Sequence, residues 1–347
     1  DLHSFPTRRS SDLSLLVACK GGNQSSSNED DDTLSIRLAV LPTLDCLPYY
    51  YAEEEGIFDS LGLHIRLESF AAAMDADTAF CNKKADAIVS DMVKAVLWRS
   101  GGDSVSVVMS SELKLYLMTA YSARIRQTKS LKEKIIGITR HSAVDMFTDE
   151  MLWDAGFIST DLNKPQINNM TLRCLMVDQN QYDGAVMPEP YASECEARGA
   201  RRIISSDDLG LTLSAVVVHD SVLNRHRNDI HLLKVGYDIA VERINKMMET
   251  DSTEIHFWND EPEAPSLMRY LPREMTVDVP DSLVQYQPLE MASMPNDSTF
   301  VKVMRWCRGR GLLKSEIKKE DLVKELGVRN FAVQRTQSQA CLSYAER

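Results

Sequence analysis

No two cysteines in this chain are spaced as CxxC, and none sits near histidine in a zinc pattern. Its seven cysteines, Cys19, Cys46, Cys81, Cys174, Cys195, Cys307 and Cys341, are scattered. Spacing therefore indicates no metal framework, and a chain of 347 residues has no need of a disulfide scaffold. Cys174 and Cys195 are the one pair that the coarse strand and helix reading brings near a single small sheet, and sequence does not decide their pairing. Positive charge is also scarce. Lys and Arg number 39 against 51 Asp and Glu, for a net charge of −12. A nucleic-acid partner calls for a basic stripe, so that class is set aside. The charge of a small ligand stays open, because a pocket can carry a field opposite to the net charge. No apolar run is long enough to span a bilayer. There is no repeat of solenoid length, and no phosphate loop or nucleophile elbow. No cofactor is indicated. What remains is an ordinary globular composition, 44% hydrophobic, with material for a large core. At roughly 100–200 residues per domain, the length suggests two domains or three.

Residues 1–12, with Arg8-Arg9 and no apolar period, read as no folded element and are excluded from fold reasoning. The run Leu13-Ser14-Leu15-Leu16-Val17-Ala18-Cys19 follows. It resembles the end of a bacterial lipoprotein signal, which implies cleavage before Cys19 and lipidation of its thiol. Residues 20–33 are Gly, Asn, Gln, Ser and acidic, a flexible-linker composition. Residues 1–33 are thus expected to be a signal remnant and tether.

From Leu34 the pattern turns α/β. Ser35–Leu41 alternates and stops at Pro42, as a strand does. A helix is expected from Leu47 to Ser60, a strand at His64–Phe70, a helix from Asp75 to Lys83, a strand at Asp86–Ser90 and a helix from Asp91 to Arg99. Further strands are expected at Ser104–Ser110 and Lys114–Tyr121. This rhythm argues a mainly parallel sheet with helices on both faces. The rhythm restarts at Leu131. A strand at Lys134–Ile138 precedes a helix capped by Ser142. Ala200–Ile204 and Leu211–His219 read as strands and Ser221–Glu249 as helix. Residues 250–275, punctuated by Pro262, Pro265 and Pro272, read as an irregular surface insertion. Ser298–Arg308 and Lys319–Leu326 read as closing helices, and 332–347 as a loose tail.

One stretch organises the second half: Asp183-Gly184-Ala185-Val186-Met187-Pro188-Glu189-Pro190-Tyr191. A short buried strand breaks on two prolines one residue apart, each lacking an N–H. Glu189 is held extended before a proline, and Pro190 suits the start of a helix. That puts Glu189 on a stiff loop at a strand's carboxyl end, where open α/β sheets bind ligands. A rigid turn with its carboxylate in water fits the local sequence equally well.

Several segments now fall in a recognisable order. Tyr50-Tyr51-Ala52-Glu53-Glu54-Glu55-Gly56-Ile57-Phe58 before Leu61-Gly62-Leu63 resembles the opening of a type II periplasmic binding protein. Leu131-Lys132-Glu133-Lys134-Ile135-Ile136-Gly137-Ile138 is similar to the start of its second lobe, Asp183 to Tyr191 to its Glu-Pro loop, and Trp306 to Leu322 to its closing helices. The nearest branch is the nitrate, sulfonate, taurine and thiamine-pyrimidine binding group of ABC importers. The likeness covers roughly residues 34–329. The chain departs from it at Pro42-Thr43-Leu44-Asp45-Cys46, at Ala71-Ala72-Ala73-Met74, which lacks the usual glycine, and over 250–275. These departures bear on the ligand more than on the fold.

The resemblance implies two doubly wound lobes: 34–118 with 214–331, and 119–213. They would be joined by two crossing strands near Leu117–Tyr121 and Leu213–Val217, with ligand in the cleft and hinge closure around it. Strand ends and helix starts would supply Pro42, Thr43, Ser90, Asp91, His141, Ser142, Met187 and Glu189. Free amides at the two helix starts suit an oxyanion, and Arg140 offers a charged fork. Each residue also has a plainer role: Ser90 and Ser142 as caps, Asp91 as complement to the helix dipole, His141 and Arg140 as solvated surface. Asp91 and Glu189 in the cleft would favour an amine, a taurine-like zwitterion or an aminopyrimidine over nitrate. The implied protein is a lipid-anchored, periplasm-facing monomer that hands a small polar molecule to an ABC permease, touching the membrane only through its anchor. The alternatives are an enzyme on the same fold, pyrimidine-forming or of menaquinone-pathway type, with His141 and Glu189 as acid and base, and a sensor module without transport.

Overall fold

The structure is a computed structural model that describes residues 35–250, 267–272 and 288–326. The expected lipidation site Cys19, the tether, most of 250–275 and the tail lie outside the described residues.

Alternation in the first strands produces a sheet buried on both faces. β1 (Ile36–Val40) turns Ile36, Leu38 and Val40 to one apolar core and Ala39 to another. β2 (Ile65–Ser69) and β3 (Ala87–Asp91) pair with β1 in parallel. β4 (Val105–Met109) belongs to the same sheet. The chain then passes at residues 110–114 into a second sheet and begins β5 (Leu115–Thr119), β6 (Ile136–Gly137), β7 (Gly184–Pro188) and β8 (Arg201–Ser205). It returns through 206–213 into β9 (Ser214–His219), which lies antiparallel between β3 and β4. Among the described residues the strand orders are β2-β1-β3-β9-β4 and β6-β7-β5-β8. The fold is the expected two-lobed α/β arrangement. The first passage comes earlier than Leu117–Tyr121, because Leu115–Thr119 is paired on both sides, with β7 and β8. Gly184 marks a close approach in that sheet. A Cβ there would lie 2.4 Å from the Met118 carbonyl oxygen on the neighbouring strand.

The helices follow the apolar periods, with local breaks. The stretch expected as one helix from Leu47 divides into α1 (Leu47–Glu54) and α2 (Ile57–Ser60), split at Gly56, whose φ is +64°. α3 (Ala73–Cys81), α4 (Met92–Gly101), α5 (Ala143–Asp154), α6 (Met170–Asp178) and α7 (Tyr191–Ala197) connect the strands. The long helix expected from Ser221 is broken into α8 (Asp220–Arg225) and α9 (Arg227–Thr250) at His226, whose Nδ1 meets Asp229 at 3.0 Å. α10 (Asp297–Gly309) and the single turn α11 (Lys319–Leu322) close the described chain. The helix expected through Leu326 stops there because Val323 pairs with Val107 beside β4, and the Lys324 amide donates to the Val107 carbonyl.

Within the region expected as surface insertion, the described segment 267–272 is a correction. Leu267, Met268, Tyr270 and Leu271 are buried in the core of the first lobe, and Tyr270 meets the ring of Tyr51 edge-on at 5.0 Å. Prolines and acidic residues dominate the stretch, but this apolar patch has the composition to dock.

Candidate functional site

The carboxyl ends of β1 and β3 in one sheet face those of β6 and β7 in the other. Between them lies a cavity that opens to solvent. That is the strand-end crevice where open α/β sheets place ligands.

On the first lobe, β1 ends at Leu41-Pro42, and Thr43 sits extended before a tight turn at Leu44–Cys46 that carries Asp45. β3 runs straight into α4. Asp91 caps that helix, accepting from the Lys94 amide at 3.0 Å. The Lys94 ammonium pairs with Asp77 of α3 at 2.5 Å. On the second lobe, Ser142 caps α5. It accepts from the Val144 amide at 3.2 Å and donates to the Thr139 carbonyl at 2.8 Å. Arg173 projects from α6. Its guanidinium donates to the Val186 carbonyl at 2.5 Å and to Thr139 Oγ1 at 2.6 Å.

The cavity wall is rich in polar atoms with no well-aligned partner among the described residues. They are Thr43 Oγ1, Asp45 Oδ1, Asp77 Oδ1, Ser90 Oγ and Arg173 Nε. Buried polar groups are ordinarily satisfied, so a concentration of five in one wall is a property of that wall. Burial pushes the Asp45 carboxyl up to about 6; the Thr43 hydroxyl lies near enough to pull it back a little but is not aligned as a hydrogen bond. Burial likewise raises Asp77 and Asp91, against the pull of Lys94. It lowers the Arg173 guanidinium to about 10. The wall thus offers carboxyl acceptors with the Lys94 ammonium on the first lobe and a guanidinium donor on the second.

Of the residues expected from sequence, Thr43, Ser90, Asp91 and Ser142 line this cavity together. Pro42 is buried next to Thr43 without lining it. Met187 is packed in the core of the second lobe. His141 stands outside. It is exposed, its φ is +55°, and its amide donates to Asp145 Oδ2. Arg140 is also exposed and donates to the Lys164 carbonyl. Glu189 lines an adjoining cavity that shares Asp45, Leu113 and Pro188 with the first. Its carboxylate is already engaged, accepting from Arg202 at 2.7 Å and from the Ser193 amide at 3.0 Å, and the peptide bond to Pro190 is cis. An arginine 13 positions along the chain was no part of the local motif.

Asp45, Asp77, Lys94, Thr139 and Arg173 line the cavity and were missed. Two of them carried a legible signal. Arg173 falls on the apolar stripe of α6 with Met170, Cys174 and Val177, which are buried. Asp77 shares a helix face with Ala73 and Phe80. A charge on an apolar stripe is a buried charge, and buried charges need partners.

Known proteins with this architecture include periplasmic binding proteins. The alkanesulfonate-binding protein SsuA from Xanthomonas axonopodis pv. citri bound to MOPS is 13% identical, with a TM-score of 0.69 over 84% of this chain and 98% of that one. The periplasmic nitrate-binding protein NrtA from Synechocystis PCC 6803 is 12% identical, with a TM-score of 0.64 over 88% and 89%. The desulfurization enzyme DSZB is 12% identical, with a TM-score of 0.59 over 87% and 99%. Likeness at such identity is one of fold, and the fold is that of the periplasmic binding proteins. No curated protein is significantly similar in sequence. The family model described as NMT1/THI5 like matches residues 43–227. That match spans more than half of the chain, which therefore belongs to the NMT1/THI5-like family.

Proposed function

We propose that this protein is a solute-binding protein of an ABC importer, and that its ligand is a small zwitterion with an amino group at one end and an oxyanion at the other. The observation that carries the reading is the set of unpartnered polar atoms in the interlobe wall. Asp45 Oδ1 and Asp77 Oδ1 lack donors, and an ammonium supplies them. Arg173 Nε, on the opposite lobe, lacks an acceptor, and a sulfonate or carboxylate supplies it. Thr43 and Ser90 hydroxyls serve either end. A plain anion such as nitrate would leave two buried carboxyl oxygens unmet beside it, at a cost of desolvation and repulsion. The fold supports the same class, since SsuA and NrtA are binding proteins.

The finer parts of the reading come from the chain's amino-terminal sequence. Cys19 carries a lipid, the protein faces the periplasm on that anchor, and it delivers its ligand to a permease. Cys19→Ser is expected to move the protein from the membrane fraction to the soluble one; retention on the membrane overturns the anchor. As an enzyme the protein would use His141 with Glu189. His141 is exposed outside the cavity and Glu189 is tied to Arg202, which weighs against that alternative.

The test is thermal melting against taurine, β-alanine, ethylamine, ethanesulfonate, nitrate and an aminopyrimidine. A ligand at one hundred times its dissociation constant adds about 2.7 kcal/mol, a shift of several degrees in a chain this size. The zwitterions are expected to shift the melt most. Asp45→Asn or Asp77→Asn should weaken them about tenfold or more, the worth of one charged hydrogen bond. Equal shifts with ethanesulfonate or nitrate, undiminished in both variants, would sink the ligand assignment. A flat panel would sink the binding reading itself.

A further inference from the structure

The second lobe has a small core of its own on one face of its sheet, built from Tyr116, Met118, Met170, Cys174, Val177, Ala185, Met187, Tyr191, Ala192 and Cys195 with Ala120. Two of its members are cysteines on different helices. Cys174 sits mid-way along α6 and Cys195 near the end of α7. Both are buried, at 0% and 1% exposure. They belong to one small cluster, on two helices that pack against each other. The other described cysteines sit elsewhere: Cys46 just before α1, Cys81 ending α3 and Cys307 in α10. Nothing in solute binding calls for two cysteines in this one small core. An apolar core of this size is filled as well by alanine or valine.

We propose that Cys174 and Cys195 are a disulfide-forming pair that ties α6 to α7. The consequence is local to the cavity. Arg173, which lines it, precedes Cys174, and α7 begins directly after the Glu189-Pro190 loop. A bond between the helices fixes the wall that holds the guanidinium against the loop that closes the adjoining cavity. The inference stands whether or not the cavity holds a solute.

The chemistry is thiol–disulfide exchange with a disulfide donor, either a small molecule or a protein. The thiolate of one cysteine attacks the donor's sulfur–sulfur bond, which breaks and releases one donor thiolate. The mixed disulfide is then attacked by the second cysteine's thiolate, releasing the other half of the donor. Two thiols are oxidised, one disulfide is reduced to two thiols, and the two protons leave with the donor. The Cys174 thiol beside it, together with burial, holds the Cys195 thiol well above its ordinary value. The thiolate is the attacking species. Oxidation therefore belongs to the folding chain, before the core shuts, and the folded dithiol resists it.

The experiment uses the full chain, unfolded in denaturant and refolded with oxidised glutathione or with dithiothreitol. Free thiols are then alkylated, and peptides are mapped by mass without reduction. The oxidised sample is expected to yield chiefly the peptide pair linking Cys174 to Cys195. Closing a loop of about 20 residues should raise its Tm by roughly 5 °C over the reduced sample. That difference should vanish in both Cys174→Ala and Cys195→Ala. Folded dithiol exposed to the same glutathione should stay unlinked over the time in which the refolding chain links. The proposal is overturned if both cysteines are recovered alkylated after oxidative refolding, if they pair chiefly with other cysteines, or if reduction leaves the Tm unchanged.

Discussion

At the scale of single residues, Asp45 gives the cavity a pH dependence with two opposite signs. A carboxylate ordinarily titrates near 4, and burial moves Asp45 to about 6. A raised folded-state value means that the folded chain keeps this proton where the unfolded chain has lost it. The stabilisation is complete below about pH 4 and is lost as pH rises through about 6. The shift corresponds to roughly 3 kcal/mol at most. Asp77 and Asp91 are raised by burial too and act in the same direction. The unliganded protein should therefore melt higher at pH 5 than at pH 7.5, and Asp45→Asn should flatten that slope. Binding of an amine runs the other way. It needs the carboxylate form, so affinity should fall about tenfold per pH unit below 6 if one proton is linked. Melting curves and titration calorimetry at pH 5, 6 and 7.5 check both trends. An affinity that does not change with pH would remove Asp45 from contact with the amino group.

At the scale of elements, the separate strands were readable, but the mainly parallel pairing expected of them was not what forms: β9 runs antiparallel to β3 and β4, and β5 to β7 and β8. Ser35–Leu41 alternates and stops at Pro42, Ala87–Val89 is a short apolar run that ends in Ser-Asp, and both form strands within a residue or two of their expected ends. Ser142 and Asp91 cap α5 and α4 because their short side chains reach the amides two and three residues on. The helix breaks at Gly56 and His226 are local, and the other misses share a cause: a partner distant in sequence decided the outcome. Val323 leaves the helical period because β4 has an open edge to accept it. Leu267–Tyr270 docks because α1 presents Tyr51. Glu189 has the local setting of a ligand contact but meets Arg202 of β8 instead. For the candidate site the same division holds. The residues on strand ends and caps, Thr43, Ser90, Asp91 and Ser142, were legible from chain order. The charges that give the cavity its chemistry, Asp45, Asp77, Lys94 and Arg173, come from helix faces and a turn, where a charge reads as solvated until the neighbouring lobe is known.

At the scale of the whole molecule, the contacts between the lobes sort into two kinds. α10 of one lobe reaches α5 of the other, with Trp306 Nε1 donating to Asp149 Oδ2 at 2.9 Å. Asp149 and Asp145, both fully buried, share the Lys164 ammonium at 2.6 and 2.8 Å. Breaking such a network strands buried charges and is costly. Elsewhere the contacts between the lobes are slight. The Leu44 amide donates to the Glu189 carbonyl at 3.0 Å, Ala72 forms a short bridge with Asn169, and Asn168 reaches Met74 in an exposed contact. We propose that the lobes part where their contacts are slight and hold at the α10–α5 network, in the manner of a hinge. Opening breaks the Leu44–Glu189 bond and separates Asp45 from Arg173, so a ligand bridging both lobes binds the closed form alone. Its presence at one hundred times its dissociation constant should then suppress opening about 100-fold. Hydrogen exchange reads this directly. The Leu44 amide should slow by up to that factor on saturation with the ligand found in the melting panel. The Ile36 amide, which bonds to the His64 carbonyl within one lobe, should slow only as far as global unfolding controls it. If Leu44 exchanges at one rate with and without a ligand that raises the melt, the ligand is held by one lobe, and the bridging of Asp45 and Arg173 is wrong.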